Sequence, residues 1–510
     1  MSHACWELFC LEHGIGPDGT AFPGEESIGD SMKLDPAISY FKVTDNQRYV
    51  PRTIIMDTEP TVVDEIRSGV YRSLFNSESL VTGLEDAASN FARGFYSCSK
   101  LILPKAMVGL RKEIEKCDHL QAIFIYHSFG GGTGSGTTCK VMEAITDQYC
   151  RTPKIELTVY PGQEMCSAVV EPYNAVLCSS VADEFADVAV LVDNQALVRI
   201  CTQQLKMGRP TFSSINRLVA QVTSGMTAAV RYEGPLTASL GQLQTNLVPF
   251  PRLHYLQASM APMISNECLA HETISMHDLT VSLFSPGTQL MTGDPGRTFV
   301  LAAALLCRGD IAVQEVRNAV VRLKNQGAVN LVPWCPTGFK IGLCLQPPTH
   351  VPLSGLAPVS RSVVGLYNST LLVSPIQSIS NKVRQLIKKR AFIHWYIEEG
   401  MEEEELFLAQ EKVDTLIADF QHLEKHGVPV DSPPGYSSSS GDDSVEKEPS
   451  SADQPSSETL ESLRITKHPR SSLSSQSSNE NESNICLQRE REIEPEFQQL
   501  RPENLFLHRF

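Results

Sequence analysis

The chain has no long apolar run, no basic excess and no closely paired cysteines, and each absence excludes a class of protein. Nowhere in its 510 residues does an uninterrupted apolar stretch approach the roughly 18 residues of a membrane span. Lys and Arg number 43 against 59 Asp and Glu, a net charge of −16, which argues against a nucleic-acid footprint, since that needs a basic face. The 14 cysteines are scattered without a C-x-x-C pair. That pattern reads as reduced thiols in a cytosolic protein, not as a disulfide framework or a metal cluster. The segment Met1–Glu7 has no basic region followed by an apolar core, so no signal peptide is expected. What remains is 42% hydrophobic and 20% charged, a composition suited to a globular body whose length predicts two or three domains.

The most informative segment is Gly130–Gly136, with five glycines, one Thr and one Ser. A β-like run, Ala122–Tyr126, precedes it, and a helix-like run from Thr137 to about Gln148 follows. Glycine-rich stretches alone are usually linkers. A strand feeding a glycine loop that opens a helix is instead a phosphate cradle, in which backbone N–H groups and the helix terminus face an anion. No Lys follows the last glycine, so this is not the common P-loop.

Residues 1–193 alternate short apolar runs with helical patterns. Strand candidates are Thr53–Met56, Ala122–Tyr126, Ile155–Tyr160 and Val188–Val192, an alternation that predicts an α/β fold with a parallel, doubly wound sheet. Residues 194–370 mix helices with strands such as Phe339–Cys344 and suggest a second, α+β domain. Residues 371–426 read as helical. From 427 to 510 the chain is rich in Ser, Pro, Glu and Asn with almost no apolar periodicity, and is expected to be disordered.

Several segments resemble the tubulin family: Gly130–Gly136 as its signature loop, together with Ala4–Ile15, Glu85–Ala88, Val169–Asn174, Gln244–Pro249, Trp334–Lys340, Ala391–Tyr396 and Glu399–Glu403. The likeness covers roughly residues 4–426, and Pro347–Ser369 resembles the longer loop of the α branch. The resemblance implies a GTP-binding domain, an intermediate domain and C-terminal helices. It further implies a cytoplasmic, cytoskeletal subunit that pairs with β-tubulin, builds the microtubule lattice and needs tubulin folding factors, with no nucleic-acid or membrane partner. The implied cofactors are GTP and Mg²⁺.

Carried over by that resemblance, Ser128, Gly131, Gly132, Thr133 and Gly134 face phosphates. Asp57 and Glu59 lie near Mg²⁺, whose hard charge suits carboxylate oxygens; a capping or turn role before the next helix is the alternative. Asp86 belongs to the neighbouring loop. Ser89 stands where the family has Asn, and Ser167 where it has Thr. Glu171, Asn194 and Asn216 match ribose and base contacts. Phe212 replaces a stacking Tyr and keeps the ring face; without the family it reads as a core residue.

Three departures stand out. Family members begin with a strand and a loop ahead of the segment matching Ala4–Ile15, and here only Met1–His3 precede it. In a doubly wound sheet that strand is central. Its loss is expected to leave two neighbours with unpaired ladder groups, each costing about 1–3 kcal/mol when buried. Second, Gln242 takes the position of the family's Glu, which acts on the GTP of the next β subunit, and Ser239 replaces an Asp. No catalytic residue is therefore assigned, and Ser239–Gln242 also has the form of a helix capping box. Third, the tail is Ser-rich and ends Leu505–Phe510, so enzymes acting on a terminal Tyr should ignore it, and its serines are candidates for phosphorylation. The modifiable Lys of an early loop is replaced near Glu25–Glu26, so acetylation is not expected there. Three readings follow: a structural subunit with impaired hydrolysis, an active GTPase, against which Gln242 counts, and a non-polymerising binding protein.

Overall fold

The computed structural model describes residues 1–426 apart from 23–34, 163–165, 167, 237, 270–273, 294–297, 328, 333, 336–337 and 352–353. The loop near Glu25–Glu26, Ser167 and the tail from 427 lie outside the described residues. The N-terminal part runs α1 (Ser2–Glu12), β1 (Phe41–Val43), β2 (Tyr49–Pro51), β3 (Ile55–Asp57), α2 (Thr61–Ser68), β4 (Leu80–Thr82) and α3 (Ser99–Ile114). Next come β5 (Ile123–Ser128), α4 (Thr138–Gln148), β6 (Lys154–Tyr160), α5 (Glu171–Phe185), β7 (Val188–Asp193), α6 (Asn194–Gln203), α7 (Phe212–Arg231) and α8 (Leu240–Leu247). The chain continues through β8 (Tyr255–Ala261), α9 (Met276–Ser282), β9 (Phe299–Gly309), α10 (Val313–Asn325), β10 (Asn330–Leu331), β11 (Phe339–Cys344) and β12 (Arg361–Ser369). It closes on α11 (Val373–Lys388), α12 (Ile393–Glu398) and α13 (Glu403–His426).

The α/β reading holds. Strands β5, β6, β7 and β8 are parallel neighbours, β12 joins antiparallel to β8 and to β9, and β10 and β11 flank β9 in parallel. The four strand candidates appear within two residues of their expected bounds. Strands β7 and β8 are buried throughout, as their near-continuous apolar sequences require of strands covered on both faces. One face packs against α5, α11 and α13, through residues such as Leu191, Tyr255, Ile379 and Phe420. The other packs against α6, α7 and α8, through Val190, Leu197, Val222 and Leu243. The helix starts are locally encoded: Asp193 caps α6 by accepting from the Gln195 N–H at 2.9 Å, and Thr211 caps α7 by accepting from the Ser214 N–H. No described helix is long and apolar enough to cross a membrane.

Among the described residues β5 pairs only with β6, and β3 and β4 form a separate two-stranded parallel sheet. Five of the six β5 residues are half-buried.

A buried charge cluster ties α1 to α7 and β9. The Glu12 carboxylate accepts from Arg231 at 2.6 Å, from Arg308 at 2.7 Å and from the Ser224 hydroxyl at 2.6 Å. Burial pushes the Glu12 carboxyl up, but the two guanidiniums and Ser224 outweigh it and hold it down at about 2, below its ordinary 4.5. Because the folded value is depressed, the stabilisation is complete above about pH 4.5 and is lost as pH falls towards 2. Glu12→Gln leaves two guanidiniums buried against a neutral amide and should cost about 3–5 kcal/mol in denaturant unfolding. The same variant should lose this acid-side component of stability.

Candidate functional site

The register of the parallel strands brings three loops to one edge. Ser128 at the end of β5 lies opposite Val159, and Tyr160 at the end of β6 lies opposite Asp193 at the end of β7. The glycine loop, the turn into α5 and the start of α6 therefore share the carboxyl edge of the sheet, where open α/β sheets bind ligands. The β3–β4 pair joins them through a 2.6 Å hydrogen bond between the Thr58 and Thr133 hydroxyls.

The glycine loop does not run straight into a regular helix. Thr133–Thr137 form a wider helical turn before α4 begins at Thr138, and Arg93–Cys98 form a second such turn before α3. Wide turns of this kind gather at functional sites. The two turns lie backbone against backbone. A Cβ on Gly136 would sit 2.1 Å from the Phe91 carbonyl oxygen, and one on Gly94 would sit 2.3 Å from that of Gly132. Gly132 and Gly134 are similarly enclosed, by Asn90 and Ala87 and by Ser128. Gly131 differs: among the described residues its only neighbour in range is the Ser128 hydroxyl oxygen at 3.6 Å. Thus Gly132, Gly134 and Gly136 serve close packing, whereas Gly131 is left unenclosed by the described residues beside Ser128.

The other expected residues distribute along this edge. Glu171, the first residue of α5, is buried, packs its chain on Gly130 and accepts from the Ala168 N–H at 3.0 Å. Asn194 opens α6, half-buried. Asn216 is half-buried one turn into α7, and Phe212 at its start is 75% exposed. That exposure overturns the core reading of Phe212 and leaves its ring face free. Asp57 ends β3; burial pushes its carboxyl up to about 6, opposed by N–H bonds from Glu59 and Thr58, while Asp86 adds like charge. Those N–H bonds fit a turn role for Asp57, but α2 starts at Thr61 with Pro60 at its N-cap and no side-chain cap, so neither acid caps it. Glu59 accepts from the Thr61 hydroxyl at 3.0 Å, and Asp86 is exposed. Asp57 and Asp86 are close enough to repel, and hard carboxylate oxygens of this kind suit a divalent cation. Ser89 takes a left-handed conformation, φ 54°.

Gln242 is not part of this cluster. It is exposed on α8, which packs near β9, at the other end of the sheet from β5. Ser239 does cap α8, accepting from the Gln242 N–H at 3.3 Å.

Sequence reasoning missed two groups that hold the glycine loop from behind. The His127 Nδ1 lies 2.7 Å from the Gly134 carbonyl oxygen, and Asn174 bonds the Gly130 carbonyl oxygen. A buried Asn within a helix is itself a signal, because Asn is a weak helix former that competes for backbone partners.

Comparison with known proteins agrees with the geometry. The family profile "Tubulin/FtsZ family, GTPase domain" matches residues 1–202, and "Tubulin C-terminal domain" matches residues 251–396. The chain is 43% identical over 423 residues to Tubulin alpha-2 chain of Caenorhabditis elegans, covering 83% of this chain and 93% of that protein. It is 42% identical over 423 residues to Tubulin alpha chain of Zymoseptoria tritici, with the same coverage.

The two classes of glycine should separate in unfolding experiments. Gly136→Ala forces a backbone shift and should destabilise by about 3 kcal/mol. Gly131→Ala should stay within about 1 kcal/mol of the parent.

Proposed function

This chain belongs to the tubulin family, and from that premise we propose that it is a GTP-binding, α-type subunit that pairs with β-tubulin in the microtubule cytoskeleton. The observation that carries the reading is the glycine loop set on the carboxyl edge of the sheet, with Gly131 open beside Ser128. Backbone N–H groups and the Ser128 and Thr133 hydroxyls suit a triphosphate at a helix start. Glu171 and Asn194 stand where the family contacts ribose and base, Asn216 reads the base, and the exposed Phe212 ring stacks on it. Ser89 and Asp86 border the phosphates, as does Ser167 by resemblance.

The site draws no lysine from its own loop, so charge on a triphosphate beside Asp57, Glu59 and Asp86 calls for a cation between them. Mg²⁺ fits that donor set, with Asp57 and Glu59 holding it directly or through water. Bound there, the ion would neutralise phosphate charge. The chain's own residues orient the nucleotide and keep it ordered; they supply no general base. With Gln242 in the family's Glu position, β-bound GTP next to this subunit should be hydrolysed slowly.

The half-exposed edge of β5 favours a second reading, a tubulin-like protein that binds a partner without polymerising. Co-expression with β-tubulin and the tubulin folding machinery separates the two. The proposal expects a soluble heterodimer with guanine nucleotide on both subunits that pellets with microtubules. A dimer that stays in the supernatant supports the second reading, and a chain without β-tubulin or nucleotide overturns both.

Two variants sharpen the assignment. Gly131→Ala should retain the fold and lose nucleotide, because its new methyl group enters the space proposed for phosphate. Gln242→Glu should raise phosphate release in mixed polymers by roughly 10²–10⁴-fold, the usual worth of a general base; an unchanged rate rejects the assignment of that position.

A further inference from the structure

Asn174 has all four of its hydrogen-bonding positions filled, from three separate parts of the chain. It lies within α5, fully buried. Its Nδ2 donates to the Ser89 carbonyl oxygen at 2.7 Å and to that of Gly130 at 2.8 Å. Its Oδ1 accepts from the Phe91 N–H at 3.0 Å and from the Tyr396 hydroxyl at 2.7 Å. One carboxamide thus joins the 89–91 turn, the first residue of the glycine loop and α12. A second link runs parallel to it: the Asn90 side-chain amide donates to the Trp395 carbonyl oxygen at 3.0 Å.

We infer that Asn174 is a positioning residue for the phosphate end of the nucleotide site, clamping the 89–91 turn to the glycine loop and fixing both against α12. The inference rests on the reading of those two segments as phosphate-facing. The chemistry demands an amide. An Asp side chain would set a carboxylate against two carbonyl oxygens, Ala would leave two carbonyls and two donors unmatched, and a hydroxyl could satisfy only part of the set. Ser89 makes the clamp more important, because its left-handed backbone costs energy for a residue with a side chain and needs surrounding bonds to persist. The position of α12 feeds into the same carboxamide through Tyr396, so a partner pressing on the exposed Trp395 acts on a helix already bonded to the phosphate loops.

The test needs a control that is equally buried but remote. Asn368 is such a residue: fully buried on β12, it donates to the Leu253 carbonyl oxygen at 2.5 Å and to that of Leu247 at 3.2 Å. In the full chain, Asn174→Ala should weaken equilibrium binding of Mg²⁺–GTP by about tenfold or more, while Asn368→Ala changes it by less than about twofold. Both variants should lower thermal stability. Equal loss of affinity in the two, or no loss in Asn174→Ala, overturns the inference. Tyr396→Phe removes one bond of the four and is the milder probe if Asn174→Ala fails to fold. Its expected effect is a roughly threefold loss, and unchanged affinity counts against the clamp. Amide hydrogen exchange without nucleotide separates this inference from the site assignment itself. Exchange at 89–91 and 130–134 should quicken by about tenfold in Asn174→Ala but not in Asn368→Ala. A parent chain that binds no GTP rejects the site assignment; unchanged exchange in Asn174→Ala rejects the clamp.

Discussion

Everything at the carboxyl edge depends on two stretches of main chain lying closer than side chains permit. Gly94 meets Gly132, and Gly136 meets Phe91, at separations that exclude a Cβ. The approach brings the turn before α3 against the turn before α4, and Thr137 then donates its hydroxyl to the Gly94 carbonyl oxygen at 3.0 Å. Glycine in a helical turn costs about 1 kcal/mol relative to alanine. Several such residues in so short a span are tolerable only if tight packing and satisfied carbonyls offset that cost. The polar anchors supply this: Asn174 on Gly130 and Ser89, His127 on Gly134, and the Ser135 hydroxyl on Gly131. The loop is held from behind, and among the described residues its front at Gly131 is left open.

The electrostatic design follows from the same arrangement. A chain of net charge −16 is a poor attractor of anions at long range, so recognition of a phosphate must be local. Backbone donors and a helix terminus act within a few ångströms and need no side-chain cation. The proposed carboxylates then have a clear role, since acidic groups beside a triphosphate favour a divalent ion shared between protein and ligand. Burial of Asp57 near Asp86 disfavours its charged form when no cation is present. Two arginines are committed inward: Arg231 and Arg308 both serve Glu12 in the core and are unavailable at the surface.

Much of this was legible in the chain. The apolar runs of β5, β6 and β7 marked a parallel sheet because they alternate with helical patterns, as crossover connections require. The glycine loop was legible because its flanks identified it. Ser239 was readable as a cap because capping is decided by a few adjacent residues. Phe212 reads as core from the chain alone, since a ring at the start of an apolar helix looks buried until the neighbouring elements are known, and it is 75% exposed; only the family resemblance gave it a surface role. The wide turn at Thr133–Thr137 was read as loop followed by helix, because its geometry reflects the pressure of the 91–95 segment and not local preference. Asn174 was the deepest omission. Its partners lie 44, 83, 85 and 222 residues away, so nothing near it in sequence announces its task.

Position 242 shows how little the fold asks of a residue that function can depend on. Helix α8 is held by Leu240, Leu243 and Leu247, all buried, and its first turn is capped by Ser239 alone. The Gln242 side chain is exposed, and its own carbonyl accepts from the Asn246 amide at 2.6 Å regardless of the side chain present. Exchange of an acid for an amide there removes a charge without disturbing the cap or the buried leucines. Under the proposed assignment, its consequences would fall on a partner docked against α8, whose nucleotide would meet a neutral amide in place of a proton acceptor. By contrast, the equivalent exchange at Glu12 would strand two buried guanidiniums. Under the role proposed for position 242, the same chemical substitution would change function at one site and stability at the other, decided by burial and by the partners each side chain keeps.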